Sequence, residues 1–191
     1  MSEQSLRSRS AFENLDVTRS GADVEVAELT GVVVASMMLR RNRRADCSAR
    51  ARDLYGLELA QGPRRSAGGG LELLGVGPDS WLAITRDLTF ADLVQAFGEV
   101  AAVCEQSASY GLLTLSGSRS ADVLSKLAPI DFHPSVFPAG AVSATRAGHI
   151  PTIIWRRDEK TFSVAVFRSY CRSFAHALSN AINSCGLHQK D

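Results

Sequence analysis

One continuous stretch, Leu115 to Arg168, constrains the fold more than any other part of the chain, because it joins a helix, an aromatic-proline loop and three strands. Phe162, Val164 and Val166 alternate with Ser163, Ala165 and Phe167, the period of two that defines a strand. Ala141 to Ala147 and Ile150 to Trp155 are β-compatible runs, and Arg157 to Lys160 supplies the turn before the third strand. Segregated strands and helices with antiparallel hairpins predict an α+β fold, antiparallel sheets with helices packed on them.

The rest of the chain fits that class. Gly31 to Leu39 is a first β-compatible run, and good helix formers between Arg40 and Gly56 predict a short helix. Gln61 to Gly70, with Pro63 and three successive glycines, reads as a loop that is mobile or curls around something on a neighbouring subunit. Leu71 to Val76 and Ser80 to Ile84 flank Gly77-Pro78-Asp79 and read as a hairpin. Phe90, Leu93, Val94, Phe97, Val100 and Ala101 recur at helical spacing, which predicts a helix over 90–102 entered through a Thr89/Asp92 capping box. Val103 to Ser107 and Tyr110 to Ser116 read as strands, and Gly117 turns the chain into a helix near 119–127. Ser169 is the expected N-cap of a last helix that buries Tyr170, Phe174, Leu178, Ala181, Ile182 and Cys185 and stops at Gly186. Residues 1–22 are too polar to order themselves and are expected to form a flexible or partner-ordered arm. Residues 23–191 then form a single α+β domain, or two subdomains divided near 128–140. No repeat of twenty to fifty residues is evident.

Composition narrows the function classes. A formal net charge of +1 gives no field to steer a phosphate polymer, which argues against nucleic acid. No run of eighteen apolar residues exists and Met1 to Ser20 is polar, so the expectation is a cytoplasmic protein without a membrane span or secretory signal. Cys47, Cys104, Cys171 and Cys185 are far apart, without a zinc or redox spacing, and are expected as free thiols.

Candidate chemistry is sparse. His133 lies two residues after Asp131, a carboxylate able to orient or charge it, but Phe132, Pro134, Phe137 and Pro138 around it suit a rigid packing plug better than a solvent-filled pocket. His149, His176 and His188 pair with no motif. Gly68-Gly69-Gly70 leads into a strand rather than a helix, so no dinucleotide loop is encoded. Ser116-Gly117-Ser118 lacks the flanking glycines of a nucleophile elbow. Arg40, Arg41, Arg43, Arg44, Arg50 and Arg52 form a basic cluster that reads either as a solvated helix face or as an anchor for a partner's carboxylates or a polyanion. An RNA-binding use of it lacks the paired strand aromatics that stack bases. Trp155 ends an apolar strand and suits the core, whereas Arg156 and Arg157 enter a turn where they can face a partner.

The Leu115–Arg168 stretch, with Gly77-Pro78-Asp79-Ser80-Trp81-Leu82 upstream and Arg168-Ser169-Tyr170 at the last helix, resembles the gamma subunit of heterotetrameric sarcosine oxidase over about residues 31 to 186. The resemblance implies a fold similar to the folate-binding domains of the glycine-cleavage T protein. It implies a chain with no catalytic, cofactor-binding or metal-binding residues of its own, in a complex that oxidises sarcosine with O2 and tetrahydrofolate. An alpha subunit holding NAD and the folate site, a beta subunit holding FAD and covalent FMN, and a zinc-carrying delta subunit are the implied partners. The chain departs from its relatives' frequent Gly-Pro at Gly117-Ser118 and from their Gly-Cys-Pro at Leu127-Ala128-Pro129, which leaves open a complex acting on another N-methyl amine. The expected interface is the exposed-looking connector and the following turn: Phe132, His133, Pro134, Phe137, Pro138, Arg156 and Arg157. A stand-alone folate-binding module is the alternative.

Overall fold

The computed structural model describes residues 9–13, 15 and 23–186; the other positions of the expected arm, and those after 186 including His188, lie outside the described residues. Strands β1 (Glu25–Glu28) and β2 (Val33–Leu39) precede helix α1 (Arg44–Tyr55), then β3 (Arg65–Gly68), β4 (Leu71–Gly77), β5 (Ser80–Thr85) and α2 (Phe90–Phe97). After them come β6 (Ala101–Glu105), β7 (Tyr110–Ser116), α3 (Ser120–Ser125), β8 (Val142–Ala147), β9 (Ile150–Arg156) and β10 (Thr161–Phe167). A 3-10 turn, Arg168–Tyr170, leads into α4 (Cys171–Ser184).

Two five-stranded sheets result, ordered β1-β7-β10-β9-β8 and β3-β4-β5-β2-β6, with every pairing antiparallel. The chain thus runs through one motif twice, two strands, a helix, three strands and a helix, and each motif lends its first strand to the other. β1 completes the second sheet by pairing Val26 with Leu115, and β6 completes the first by pairing Met37 with Val103. This repeat is longer than a solenoid unit and lives in topology rather than in residue identity. The connector at 128–140 joins α3 to β8 inside one half.

The layers follow from strand alternation. Phe162, Val164 and Val166 turn toward α3 and α4 in one core, while Ala165, with Leu112, Val142 and Trp155, meets Val34, Leu74, Leu82 and Ile84 of the other sheet. Both faces of β10 are therefore covered, and residues 162–166 are all buried. On the far side α1 and α2 cover Ala35, Met37, Leu71, Leu73 and Ala83, so the order of layers is helices, sheet, sheet, helices. No helix among the described residues is long and apolar enough to cross a membrane.

Local signals held where they were self-contained. The capping box forms, with the Asp92 N–H donating to Thr89 Oγ1 at 3.2 Å and the Thr89 N–H to Asp92 Oδ2 at 2.8 Å. Long-range pairing overrode others. α2 stops at Phe97 rather than 102, because Ala101 to Glu105 pair with β2 and the Arg40 N–H bonds the Val100 carbonyl. The glycine-rich segment 61–70 contains β3, closed onto β4 by Gly69 and Gly70 at φ +52° and +76°, the two positive φ values a tight hairpin turn requires. Tyr170, rather than Ser169, caps α4, without a side-chain bond, and Tyr170 is exposed instead of inward.

The N-terminal segment departs furthest from expectation, because Phe12 is buried in the core beneath α4 and β7. Gly111 makes room for it: a Cβ there would stand 2.6 Å from Cys171 Sγ and 2.7 Å from Phe12 Cε2. Phe12→Ala should therefore cost about 3 kcal/mol in urea unfolding, the range for emptying a buried aromatic site. An unchanged midpoint would mean that the segment contributes nothing to stability.

Candidate functional site

The connector between α3 and β8 is shaped by one buried cation. Arg156, only 3% exposed at the end of β9, donates from Nη1 to the carbonyls of Phe132 at 3.2 Å and Phe137 at 2.7 Å. Its Nη2 donates to the Glu159 carbonyl at 2.7 Å, its Nε to the Asp158 carbonyl at 3.1 Å, and its Cζ stands 4.7 Å from the Phe162 ring centre. Among the described residues no carboxylate forms a hydrogen bond or salt bridge with it; carbonyl dipoles and a ring face replace its water. Phe132, Phe137 and Phe162 pack around it as an aromatic triplet with centroid separations of 5.4, 5.6 and 6.5 Å.

This geometry corrects the expected exposure of the connector. Phe132 and Phe137 are 3% and 6% exposed and belong to the core, and Arg156 faces inward. What reaches solvent is the turn between the two rings, His133, Pro134, Ser135 and Val136, with Val136 60% exposed and Pro138 half-buried behind it. The N–H groups of Val136 and Phe137 close that turn on the His133 carbonyl at 2.9 and 2.8 Å. Asp131 does not orient the imidazole: its Oδ1 accepts from the His133 backbone N–H at 2.8 Å, while His133 Nδ1 meets Ser135 Oγ at 2.7 Å. The acid–base reading of this pair therefore loses its geometry. Ser118 bonds Asp23, and Ser120 donates to the Gly117 and Lys160 carbonyls, so these serines brace turns.

The basic cluster is largely spent within the chain. Arg43, Arg44, Arg50 and Arg52 pair with Asp46, Asp79, Glu99 and Glu58, and Arg40 donates to the Gly98 carbonyl. Such exposed pairs add little stability, but they compensate the charge a polyanion would need. Burial pushes the Cys171 thiol up to about 11 and raises Cys47 as well, which leaves both as inert core groups. Among the described residues no three His, Cys, Asp or Glu side chains are placed to hold a metal ion.

A second charged group joins the two sheets. Glu72 on β4 accepts from Arg65 Nε of β3 at 2.9 Å and from Arg157 Nη1, beyond β9, at 2.8 Å. Arg157 also donates from Nε to the buried Ser163 Oγ at 2.6 Å and lies over the Trp155 ring. Arg157 is thus turned toward its own chain rather than outward. Nothing in the motif reading pointed to Glu72, although a lone carboxylate between Leu71 and Leu73 in an apolar strand was the available signal.

Matches to known proteins follow the same elements. The sarcosine oxidase gamma subunit family model matches residues 41–184. The chain belongs to this family. The gamma subunit of sarcosine oxidase from Corynebacterium sp. (strain P-1) is 33% identical over 117 residues, 60% of this chain and 58% of that protein. The Arthrobacter sp. gamma subunit is 33% identical over 130 residues, 66% of this chain and 64% of its own length. The chain thus spans about three fifths of these curated relatives. A chain of the heterotetrameric sarcosine oxidase from Corynebacterium sp. U-96, solved with pyrrole 2-carboxylate, superposes with a TM-score of 0.80 at 22% identity, covering 96% of this chain and 99% of that one. The glycine cleavage system aminomethyltransferase T from Bartonella henselae gives 0.58 at 16% identity, over 88% of this chain and 48% of that one. The α+β fold expected from the strand and helix patterning, and from the resemblance, is the fold found.

Burial alone raises the Glu72 carboxyl, but hydrogen bonds and charge from Arg65 and Arg157 outweigh it and hold the group below its ordinary value. A depressed folded-state pKa contributes stability that is whole above the unfolded value, near 4.3, and is lost as pH falls through the folded value. Glu72→Gln should therefore cost about 2 kcal/mol at neutral pH. The gap to wild type should close below roughly pH 4 in urea titrations. A gap that is constant with pH would deny the ion pairs this role.

Proposed function

We propose that this chain is the non-catalytic gamma subunit of a heterotetrameric sarcosine oxidase. The complex would convert sarcosine, O2 and tetrahydrofolate to glycine, 5,10-methylenetetrahydrofolate and hydrogen peroxide. The observation that carries the reading is family membership across residues 41–184, and the fold shared along 96% of the chain with a subunit of such a heterotetramer supports it. In this reading FAD, FMN, NAD and zinc belong to partner subunits, as does the tetrahydrofolate site, and the alpha subunit is the neighbour this chain packs against. In this reading the complex works in the cytoplasm.

The docking element we assign is the 133–136 turn with Pro138 behind it. Arg156 and the Phe132–Phe137–Phe162 triplet fix its shape from within, so a tip carrying Pro134 and Val136 is offered with little ordering entropy left to lose. Phe132 and Phe137 act here as buttresses, and Val136 replaces them as the contact side chain.

Tagged protein purified from its native host should bring yellow, flavin-bearing partners that produce peroxide from sarcosine. Val136→Asp should weaken co-purification by about tenfold, roughly 1.4 kcal/mol. Turnover per flavin in the complexes that do form should be unchanged. A colourless lone protein would contradict the assembly and, if it bound tetrahydrofolate, would favour the stand-alone folate module. Selective loss of turnover in intact complexes would contradict the non-catalytic role.

A further inference from the structure

We propose that the cleft beside Glu72 is a binding site for a small organic carboxylate. The cavity measures about 370 Å3, within the size range of small-molecule sites. Its apolar walls are Leu29, Val32, Leu71 and Ile84, and Arg65 and Arg157 reach it from elements of different sheets.

The two guanidiniums are not used up by their protein partners. Arg65 gives Nε to Glu72, and its Nη1 and Nη2 have no hydrogen-bond or ion-pair partner among the described residues. Arg157 gives Nη1 to Glu72 and Nε to Ser163, and its Nη2 is likewise open. Two cations face one anion, so the cluster keeps one net positive charge. Both cations are held in place: each has about three quarters of its side chain shielded, and Glu72 is shielded further. A planar carboxylate matches the paired donors of a guanidinium edge. Glu72 itself selects for charge, since a second negative charge on the ligand would be repelled at short range, which disfavours phosphate against a monoanion. The apolar walls select for an organic body attached to that anion. Arg86 and Asp87, both exposed, also line it and carry opposite charges, so together they add no net charge.

The full chain carries its own reporter. Trp155 lies beneath Arg157, with Cζ 5.8 Å from the ring centre, and its indole N–H is buried without a partner among the described residues. Trp81, the other of the two tryptophans, packs in the opposite core. In protein labelled with 15N-tryptophan, benzoate should shift the Trp155 indole resonance saturably, with a Kd on the order of 1 mM, and leave Trp81 unmoved. Benzamide, its neutral counterpart, and inorganic phosphate should each bind at least about tenfold more weakly. Arg65→Gln should weaken benzoate by about tenfold. Glu72→Gln, which removes the competing charge and frees donors, should tighten it by a similar factor. The opposite signs of these two variants guard against a general loss of fold, and the Glu72→Gln result decides alone if Arg65→Gln does not fold. No Trp155 shift up to about 10 mM benzoate, or equal shifts with benzamide or phosphate, would overturn the assignment.

Discussion

Neither half of this protein completes its sheet with its own first strand. β1 leaves for the second sheet and β6 returns to the first, so the connections at 29–32 and 106–109 tie the halves together at the level of backbone hydrogen bonds. Side-chain packing between sheets, from Val34 and Leu82 to Leu112 and Trp155, is then laid over a topology that already prevents separation. The exchange also places two short strands, β1 of four residues and β6 of five, at sheet edges, where short strands give little template for unwanted pairing.

Two arginines, adjacent in sequence, show how that block is finished. Strand alternation sends Arg156 toward the helices, where it holds the 132–137 connector by its carbonyls, and Arg157 toward the other sheet, where it meets Glu72. One gives the protein a fixed turn on its surface; the other keeps a charged cleft between the sheets. On the proposed reading, the gamma subunit presents shape to its partners rather than reacting groups.

Much of the architecture was legible because its signals are local. The alternation in Thr161–Phe167, the Thr89/Asp92 cap and the turn residues at Gly77-Pro78-Asp79 act within a few positions and appear where expected. The end of α2 and the strand at Arg65–Gly68 were hidden because partners far along the chain decide them. The connector was misjudged for the same reason. Phe132 and Phe137 beside prolines look like exposed anchors until Arg156 and Phe162, some twenty to thirty residues on, are seen to cover them. The strand exchange itself leaves no mark in composition or periodicity, since β1 and β6 look alike whichever sheet receives them. Strand and helix patterning supplied the class of fold, while burial supplied the roles of its residues.

The central structural claim is that the exchanged strands weld both halves into one cooperative unit. Native-state hydrogen exchange, read peptide by peptide with mass spectrometry, tests it most directly. The account predicts that amides of β1 and β6 paired with β7 and β2 exchange only with global unfolding, alongside those of β5 and β10, and that both halves lose protection together as urea is raised. Early exchange of β1 and β6, with the two sheets opening at separate denaturant concentrations, would contradict it.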